Sequence, residues 1–220
     1  MHRSKYYAVK NGRKPGVYTT WADCQKQVNG YPNAIFKSFH TDWEAEAYIN
    51  SKPSVEQENK QFIYDSLAEY TSEMFIKVSA EMSDTAFCFV DGSNIKSEAY
   101  SYGLIMFFNG EMITRKGVGS NKAHGQFNNV AGELLGAIHA VHLAEEKGAK
   151  ALVIYHDYEG IRAWANKDWT AKIEMAVNYA DLVRDKRDIM TIDFVKVAGH
   201  TGVPVNEMVD KLAKSALNIK

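Results

Sequence analysis

The chain has 220 residues, of which 45% are hydrophobic and 24% are charged, and its formal net charge is -1. This composition is too apolar for a disordered chain, and no apolar run is long enough to cross a membrane. The length fits one medium domain or two unequal ones. Cys24 and Cys88 are too few for a disulfide framework, and the basic N-terminus has no apolar segment typical of a secretory signal. We therefore expect a protein of a reduced compartment, the cytoplasm.

The first 50 residues predict a small α/β domain. Its core would be near the lower size limit for independent folding. Seven of the first 40 residues are basic and only Asp23 is acidic, so the rest of the chain is acidic. A basic segment on an acidic body suggests contact with a polyanion, although uneven surface charge explains the pattern equally well. Strands are predicted over 6–9, 16–19 and 34–39, and helices from about 20 or 23 to 28 and over 42–48.

Residues 51–83 are predicted to connect two domains. Between positions 50 and 61 only Pro53 and Val55 are apolar, which is typical of a linker. Apolar residues at helical spacing follow, and they predict one helix over 62–79 that packs or acts as a spacer between the two halves. This stripe consists of Ile63, Leu67, Tyr70, Met74 and Val78.

A mixed five-stranded sheet flanked by helices is predicted over residues 84–220. The run 86–90 is continuously apolar, as in a strand that is buried on both faces. Asn109-Gly110 indicates a hairpin, and Gly148 is placed to end a long helix. A three-stranded meander followed by alternating helices and strands gives the mixed sheet. The remaining strands are predicted over 100–108, 111–118, 151–155 and 191–197, and the helices over 131–147, 159–166, 171–186 and 204–218.

Four acidic residues occupy positions at which the local structure does not require an acid. Asp91 and Asp157 each follow a central strand, at the carboxyl edge where α/β sheets bind ligands. Glu133 shares its helix face with small residues that allow close packing on the sheet. Asp210 shares a helical face with Asn206. Each acid also has a purely structural explanation: a turn, a helix cap or an exposed helical surface.

Together the four carboxylates predict a site for hard cations. Mg²⁺ prefers carboxylate oxygens, and two such ions about 4 Å apart can hold the attacking and leaving oxygens of a phosphodiester displacement. Several acids from different elements are needed to neutralise two dications. His200 lies on a glycine-flanked loop after the last strand, where its imidazole could move protons, although a surface histidine is an equally good explanation.

Four segments resemble the acidic motifs of the type 1 ribonuclease H family, in the same order and at similar spacing. The N-terminal region is similar to the small hybrid-binding domain, also called viroplasmin-type, that is attached to many of these enzymes. Because both modules match, the resemblance covers most of the chain. The motifs are FVDGS at 89–93, AGELLGAIHA at 131–140, IYHDYEGI at 154–161 and VAGHTGVPVNEMVDKLAK at 197–214, with YYAVKNGRKPGVYTTWADCQKQVNGYPNAIFKSF at 6–39.

The resemblance implies a fold, an activity and a set of site residues. It implies a ribonuclease H-like sheet and endonucleolytic hydrolysis of the RNA strand of RNA/DNA hybrids, which leaves 5'-phosphate and 3'-hydroxyl ends. His200 would be the mobile catalytic histidine, and Asn129 and Asn206 would contact the nucleic acid. Two Mg²⁺ ions, for which Mn²⁺ could substitute, would be bound by Asp91, Glu133, Asp157 and Asp210.

In the N-terminal domain the resemblance assigns roles to two aromatic and three basic residues. Trp21 and Phe36 would stack on sugars of the DNA strand, and Lys37 would contact a phosphate, with Arg13 and Lys14 nearby. Without the resemblance, both aromatics would be expected in the core. Basic residues interleaved with aromatics nonetheless suit a surface that binds nucleic acid with little sequence preference. The expected partner is an RNA/DNA hybrid, bound by a monomer without membrane contact.

Several features depart from the family pattern. Tyr158 stands where a small hydroxyl residue is usual, and Ser38 stands where a second lysine is common. The segment before Glu133 is one residue longer than usual, which affects the assignment of Asn129. The chain that follows Asp157 is too short for the additional basic helix of some relatives. We therefore hypothesise that the catalytic domain binds hybrids weakly and depends on the N-terminal domain for affinity or processivity.

Three other functions are compatible with parts of the pattern. A 3'-exonuclease or an integrase core on the same fold would act on duplex DNA rather than on a hybrid. A disabled nuclease would bind hybrids without cleaving them in Mg²⁺ or Mn²⁺. A scaffold in which the acids have no role would fit the composition but not the order of the motifs.

Overall fold

The computed structural model describes residues 5–32, 34–50, 55–95, 99–119, 128–199 and 202–217, without the side chains of 47, 50, 55–59, 128 and 129. The chain divides into two compact units, Met1–Asn59 and Lys60–Lys220. None of the helices in these ranges combines the length and the apolar character that crossing a membrane requires.

The first unit contains a three-stranded antiparallel sheet and two helices. Strand β1 lies in the centre of the sheet, between the other two strands. Its core is small and includes the buried side chains of Val9, Cys24 and Val28. Thr20 caps the first helix, because its hydroxyl accepts a hydrogen bond from the backbone N–H of Asp23. The elements are β1 (Tyr6–Asn11), β2 (Gly16–Tyr18), α1 (Trp21–Val28), β3 (Ile35–Phe39) and α2 (Asp42–Asn50).

Two helices, α3 (Val55–Leu67) and α4 (Ser72–Glu81), occupy most of the region predicted as a linker with one helix. The predicted linker over 50–61 is helical from Val55 onward, and the boundary between the two compact units lies within it, after Asn59. Its role as a linker stays a prediction. A helix needs only a narrow apolar stripe when its polar residues face water, and the stripe of α3 begins at Tyr64, which is buried. The predicted continuous helix over 62–79 is wrong, because Thr71 starts a new helix by accepting a hydrogen bond from the N–H of Met74.

The second unit contains the predicted mixed sheet, in the order β6-β5-β4-β7-β8. Strands β4, β5 and β6 form an antiparallel meander, and β7 and β8 continue the sheet in parallel with β4. The predicted five-stranded sheet with flanking helices and a small N-terminal α/β domain is confirmed. Its elements are β4 (Thr85–Ile95), β5 (Ala99–Phe108), β6 (Glu111–Gly119), α5 (Asn128–Glu146), β7 (Ala151–His156), α6 (Gly160–Ala165), α7 (Glu174–Lys186), β8 (Thr191–Lys196) and α8 (Pro204–Ala216).

Both faces of the sheet are covered, which explains the continuous apolar run in β4. Cys88 and Val90 point to a core that includes α5, α6 and α7. Phe87 and Phe89 point to a second core on the opposite face, which includes α3, α4 and α8. Residues 60–83 are therefore part of the second unit and not a spacer.

Phe75 of α4 is the centre of the second core. Its side chain is fully buried, and its ring is stacked on the ring of Phe107 with centroids 5.0 Å apart. The hydroxyl of Tyr155 in β7 donates a hydrogen bond to the backbone carbonyl of Tyr64, 3.0 Å away, so α3 is also attached to the sheet. The other rings within 6.1 Å of Phe75 are those of Tyr70, Phe87, Phe89 and Tyr155.

Candidate active site

Asp91 and Asp157 are placed side by side by the parallel pairing of β4 and β7. The last paired residues of this ladder are Phe89 and Tyr155. Each aspartate lies two residues farther along the chain, so both lie at the carboxyl edge of the sheet. Asp157 follows β7 as predicted, whereas Asp91 lies within β4, which continues to Ile95 and does not end at residue 90 as expected.

Glu133 reaches the same edge because α5 approaches the sheet unusually closely. A Cβ atom added at Gly92 would lie 2.5 Å from the backbone nitrogen of Glu133, and one added at Gly132 would lie 2.4 Å from the carbonyl oxygen of Ser101. Only glycine permits these two contacts, since any larger residue would push the helix away from β4 and β5. The first turns of α5 are thus fixed against the strand that carries Asp91.

The three carboxylates form one compact group. Oxygen atoms of Asp91, Glu133 and Asp157 all lie within 4.8 Å of one another. The backbone N–H of Gly92 donates to Asp91 Oδ1 at 2.7 Å and also approaches Glu133 Oε1 at 3.3 Å. Within the described part of the chain, the buried Glu133 Oε2 has no hydrogen-bond partner. The group therefore concentrates negative charge that the described side chains do not neutralise.

The pKa values of two of these carboxyls reflect this crowding. Burial raises the pKa of Asp91 to about 6, and the charges of Asp157 and Asp210 act in the same direction. Burial also raises the pKa of Glu133 well above its usual range, and the charges of Asp91 and Asp157 add to the effect. Both pKa shifts indicate that ionisation of the Asp91 and Glu133 carboxyls is unfavourable without a compensating cation.

Asp210 lies at the same pocket but outside the three-carboxylate group. It is on α8, and its Oδ2 accepts a hydrogen bond from Lys214 Nζ at 2.7 Å. Asn206, one turn earlier, is only 4% exposed, and its Oδ1 has no hydrogen-bond partner among the described residues. The pocket has a volume of about 200 Å³ and is lined by Asp91, Asp157, Asn206, Glu207, Asp210 and Lys211.

The loop that follows β8 passes directly over Asp157. A Cβ atom at Gly199 would lie 2.8 Å from Asp157 Oδ2, so a larger residue there would displace the Asp157 carboxylate. His200, the next residue, lies outside the described residues, and so does the side chain of Asn129. Their assigned roles stay predictions.

The donor set fits a hard divalent cation. All candidate ligands are carboxylate or amide oxygens, and no cysteine lies in the group. Mg²⁺ and Mn²⁺ prefer such ligands, whereas softer metals select sulfur or imidazole. A bound cation would give the partnerless oxygen of Glu133 a ligand contact and would lower the raised pKa values of Asp91 and Glu133.

In the first unit, Trp21 and Phe36, both assigned to stacking on the DNA strand, are in contact with each other, and the stacking itself stays a prediction. Their ring centroids are 5.7 Å apart, and Trp21 is 44% exposed. Tyr7 completes the cluster, with its ring centroid 5.6 Å from that of Trp21. Tyr7 was not among the predicted site residues, although it lies in the strand predicted over 6–9. Trp21 is the exposed ring of this cluster, whereas Tyr7 and Phe36 are partly buried and pack against the small core.

Arg13 has a structural contact that the sequence analysis did not anticipate. Its Nη1 donates to the carbonyls of Lys26 and Asn29, at 3.1 and 2.7 Å. These carbonyls lie at the C-terminal end of α1, where a cation is favourable. Arg13 thus anchors the end of this helix. The nucleic-acid contacts assigned to Arg13, Lys14 and Lys37 stay predictions.

Comparison with protein families gives two matches that do not overlap. Residues 5–49 match the family described as Ribonuclease H1 N-terminal domain. Residues 83–218, more than half of the chain, match the RNase H family. The chain belongs to the ribonuclease H family.

Individual ribonucleases H are similar over different parts of the chain. Human Ribonuclease H1 is 26% identical over 251 aligned positions, which cover 95% of this chain and 88% of the human protein. Ribonuclease H of Crithidia fasciculata is 42% identical over 52 positions, which cover 24% of this chain and 10% of that protein.

Solved ribonuclease H structures share the fold of the second unit. The N-terminal RNase H domain of a Mycobacterium tuberculosis protein has a TM-score of 0.51 at 16% identity, and the match covers 61% of this chain and 94% of that one. A ribonuclease H1 isolated from compost has a TM-score of 0.51 at 15% identity, over 61% of this chain and 96% of that one. At these identities the likeness supports the fold alone.

The family membership confirms the predicted type of protein. The chain is a type 1 ribonuclease H with an N-terminal hybrid-binding domain. It is an endonuclease that hydrolyses the RNA strand of RNA/DNA hybrids and depends on divalent metal ions. The exonuclease, disabled-nuclease and scaffold alternatives are therefore not retained.

Proposed function

We propose that Asp91, Glu133, Asp157 and Asp210 hold two Mg²⁺ ions, for which Mn²⁺ can substitute, and that cleavage leaves 5'-phosphate and 3'-hydroxyl ends. The observation that carries the proposal is the group of three carboxylates within 4.8 Å, one of them buried with a partnerless oxygen. When bound, divalent ions supply the charge neutralisation and Lewis acidity that in-line phosphodiester hydrolysis requires.

The residues of the chain position the reactants and move protons. Asp91 is held in place by the N–H of Gly92, so its carboxylate does not have to be ordered during the reaction. Asn206 offers a buried amide at the pocket, suited to a hydrogen bond with the nucleic acid. We assign His200 to proton transfer at the leaving oxygen, since the preceding Gly199 brings its loop against Asp157.

The substrate contacts are divided between the two units. The 2'-hydroxyl distinguishes RNA from DNA, so the catalytic unit must recognise it on the cleaved strand, with Asn129 and Asn206 as candidate contacts. In the first unit, we assign Trp21 and Phe36 to stacking on the DNA strand. The ring contact between Trp21 and Phe36 and the exposure of Trp21 support this assignment. Phosphate contacts are assigned to Lys37, with Arg13 and Lys14 nearby.

A substrate panel tests the proposed reaction. The full chain is incubated with a labelled RNA/DNA hybrid, the same RNA as a single strand, and duplex DNA of the same sequence, each in Mg²⁺, Mn²⁺ and EDTA. We expect internal cleavage of the hybrid RNA alone, only with a divalent ion, and products that a ligase or kinase identifies as 5'-phosphorylated. Products with 3'-phosphate ends would contradict the proposal.

Removal of residues 1–50 is expected to raise the KM for a long hybrid by about tenfold and to leave kcat nearly unchanged. The reason is that phosphate and stacking contacts of the first unit add affinity without touching the reacting bond. The measurement is steady-state cleavage of the same hybrid by the full and shortened chains.

Trp21→Ala in the full chain is the matched control for this deletion. It removes the most exposed ring of the aromatic cluster and should raise KM in the same direction by a smaller factor. An unchanged KM for the shortened chain would show that the catalytic unit binds the hybrid without help.

We also propose that the enzyme acts as a monomer in the cytoplasm. Cys24 and Cys88 are both buried and free, which suits a reducing compartment. Light scattering coupled to size exclusion measures the oligomeric state directly, and a mass near 24.7 kDa is expected.

A further inference from the structure

Asp210 differs from the other three carboxylates because it already has a cationic partner. Lys214 Nζ lies 2.7 Å from its Oδ2, one helical turn along α8. The Asp210 side chain is 20% exposed and that of Lys214 is 43% exposed, so the pair is only partly screened by water. Within the described ranges, Asp91, Glu133 and Asp157 make no ion pair.

The backbone of α8 is fixed against the sheet at this point. A Cβ atom at Gly103 of β5 would lie 2.6 Å from the carbonyl oxygen of Val209, the residue before Asp210. The buried hydroxyl of Ser101 donates to the carbonyl of Ala213 at 2.7 Å. Because both contacts hold the helix in place, Asp210 can join the other carboxylates only by rotation of its side chain.

We propose that Lys214 is a positioning residue that holds Asp210 outside the three-carboxylate group until a divalent ion displaces the ammonium group. This inference rests on the proposed function, in which Asp210 is a metal ligand. Breaking the ion pair opposes metal binding, and the displaced ammonium still repels the ion at short range. Lys214 therefore sets the metal concentration at which the site becomes complete.

Lys211 provides the matched comparison. It lies on the same helix and lines the same pocket, but it makes no ion pair with Asp210 among the described contacts. Neutralising Lys211 changes the net charge of the pocket by the same amount as neutralising Lys214. A difference in Mn²⁺ affinity between the two variants therefore separates the effect of the Asp210–Lys214 ion pair from the effect of the net charge of the pocket.

The test is a calorimetric titration of the full chain with Mn²⁺ alone, without nucleic acid. We expect Lys214→Met to tighten Mn²⁺ binding by about two- to fivefold, the size of a partly exposed ion pair. Lys214→Arg should retain the wild-type affinity, because arginine keeps the pairing cation. Lys211→Met should change the affinity by less than Lys214→Met does. The Mg²⁺ concentration for half-maximal hybrid cleavage should fall in parallel for Lys214→Met.

The outcomes separate this inference from the function on which it rests. Equal or weaker Mn²⁺ binding by Lys214→Met would overturn the role of Lys214 and leave the four-carboxylate site intact. An equal gain in Mn²⁺ affinity for Lys214→Met and Lys211→Met would also overturn it, because the net charge of the pocket would then explain the whole effect. Failure of the wild-type chain to bind Mn²⁺ would contradict the proposed metal site itself.

Discussion

Glu133→Gln is expected to stabilise the metal-free protein and to reduce hybrid cleavage by two to three orders of magnitude or more. The substitution preserves shape and can keep the hydrogen bond from the N–H of Gly92. It removes a buried charge that Asp91 and Asp157 repel, and its new amide group can donate to those carboxylates. Relief of such a charge contributes about 1–3 kcal/mol to the free energy of unfolding, which is a rise in Tm of about 2–12 °C in a chain of this size.

Activity falls in the same variant because the missing charge is needed to hold the divalent ions. A loss of this size, on the order of 10²–10³-fold in kcat, is typical when one element of an electrostatic site is removed. Stability and activity thus move in opposite directions, which distinguishes a functional carboxylate from a structural one. The measurements are thermal unfolding in EDTA and cleavage in Mg²⁺.

Glu146→Gln is the control for this substitution. Glu146 is exposed at the far end of the same helix, so its neutralisation should shift Tm by no more than about 1–2 °C and leave cleavage unchanged. A lower Tm for Glu133→Gln than for the wild-type chain would contradict the account of uncompensated charge.

Phe75→Ala is expected to destabilise the second unit by about 3–5 kcal/mol and to lower its Tm by about 10 °C or more. Phe75 is fully buried, and its ring contacts aromatic side chains from β4, β5 and β7. Its removal leaves a cavity between α4 and the sheet that rigid aromatic neighbours cannot fill. Chemical and thermal unfolding of the full chain measure the effect.

Met74→Ala tests the same helix without opening a cavity. Met74 is 41% exposed and precedes Phe75, so its substitution should cost less than about 1 kcal/mol. Comparable losses of unfolding free energy for the two variants would indicate that α4 packs only loosely on the sheet. A much larger loss for Phe75→Ala would establish that residues 72–81 belong to the catalytic unit.

The parts of the fold that the sequence predicted have strong local signals. The apolar run before Asp91, the Asn109-Gly110 turn and the Gly148 helix end each determine their element with little help from distant residues. The helix α3 has no such signal, because its N-terminal half is polar apart from Val55. It is stabilised by tertiary contacts such as the hydrogen bond between Tyr155 and the backbone of Tyr64.

The candidate site shows the same division between local and tertiary information. The positions of Asp91 and Asp157 follow from the strands that precede them. Close packing of the helix that carries Glu133 was expected from the small residues on its face, but the particular contacts at Gly92 and Gly132 that fix it are tertiary. The partner of Asp210 could have been predicted, since Lys214 is four residues later on the same helix.

The carboxylate site is tested most directly by the metal dependence of hybrid cleavage in the wild-type chain and in Asp91→Asn. The labelled RNA strand is followed in Mg²⁺ and in EDTA, and hybrid binding is measured in parallel. The account predicts cleavage by the wild-type chain in Mg²⁺ only, and loss of at least about 10²-fold of that rate in Asp91→Asn with hybrid affinity retained. Wild-type cleavage in EDTA, or an undiminished rate in Asp91→Asn, would contradict it.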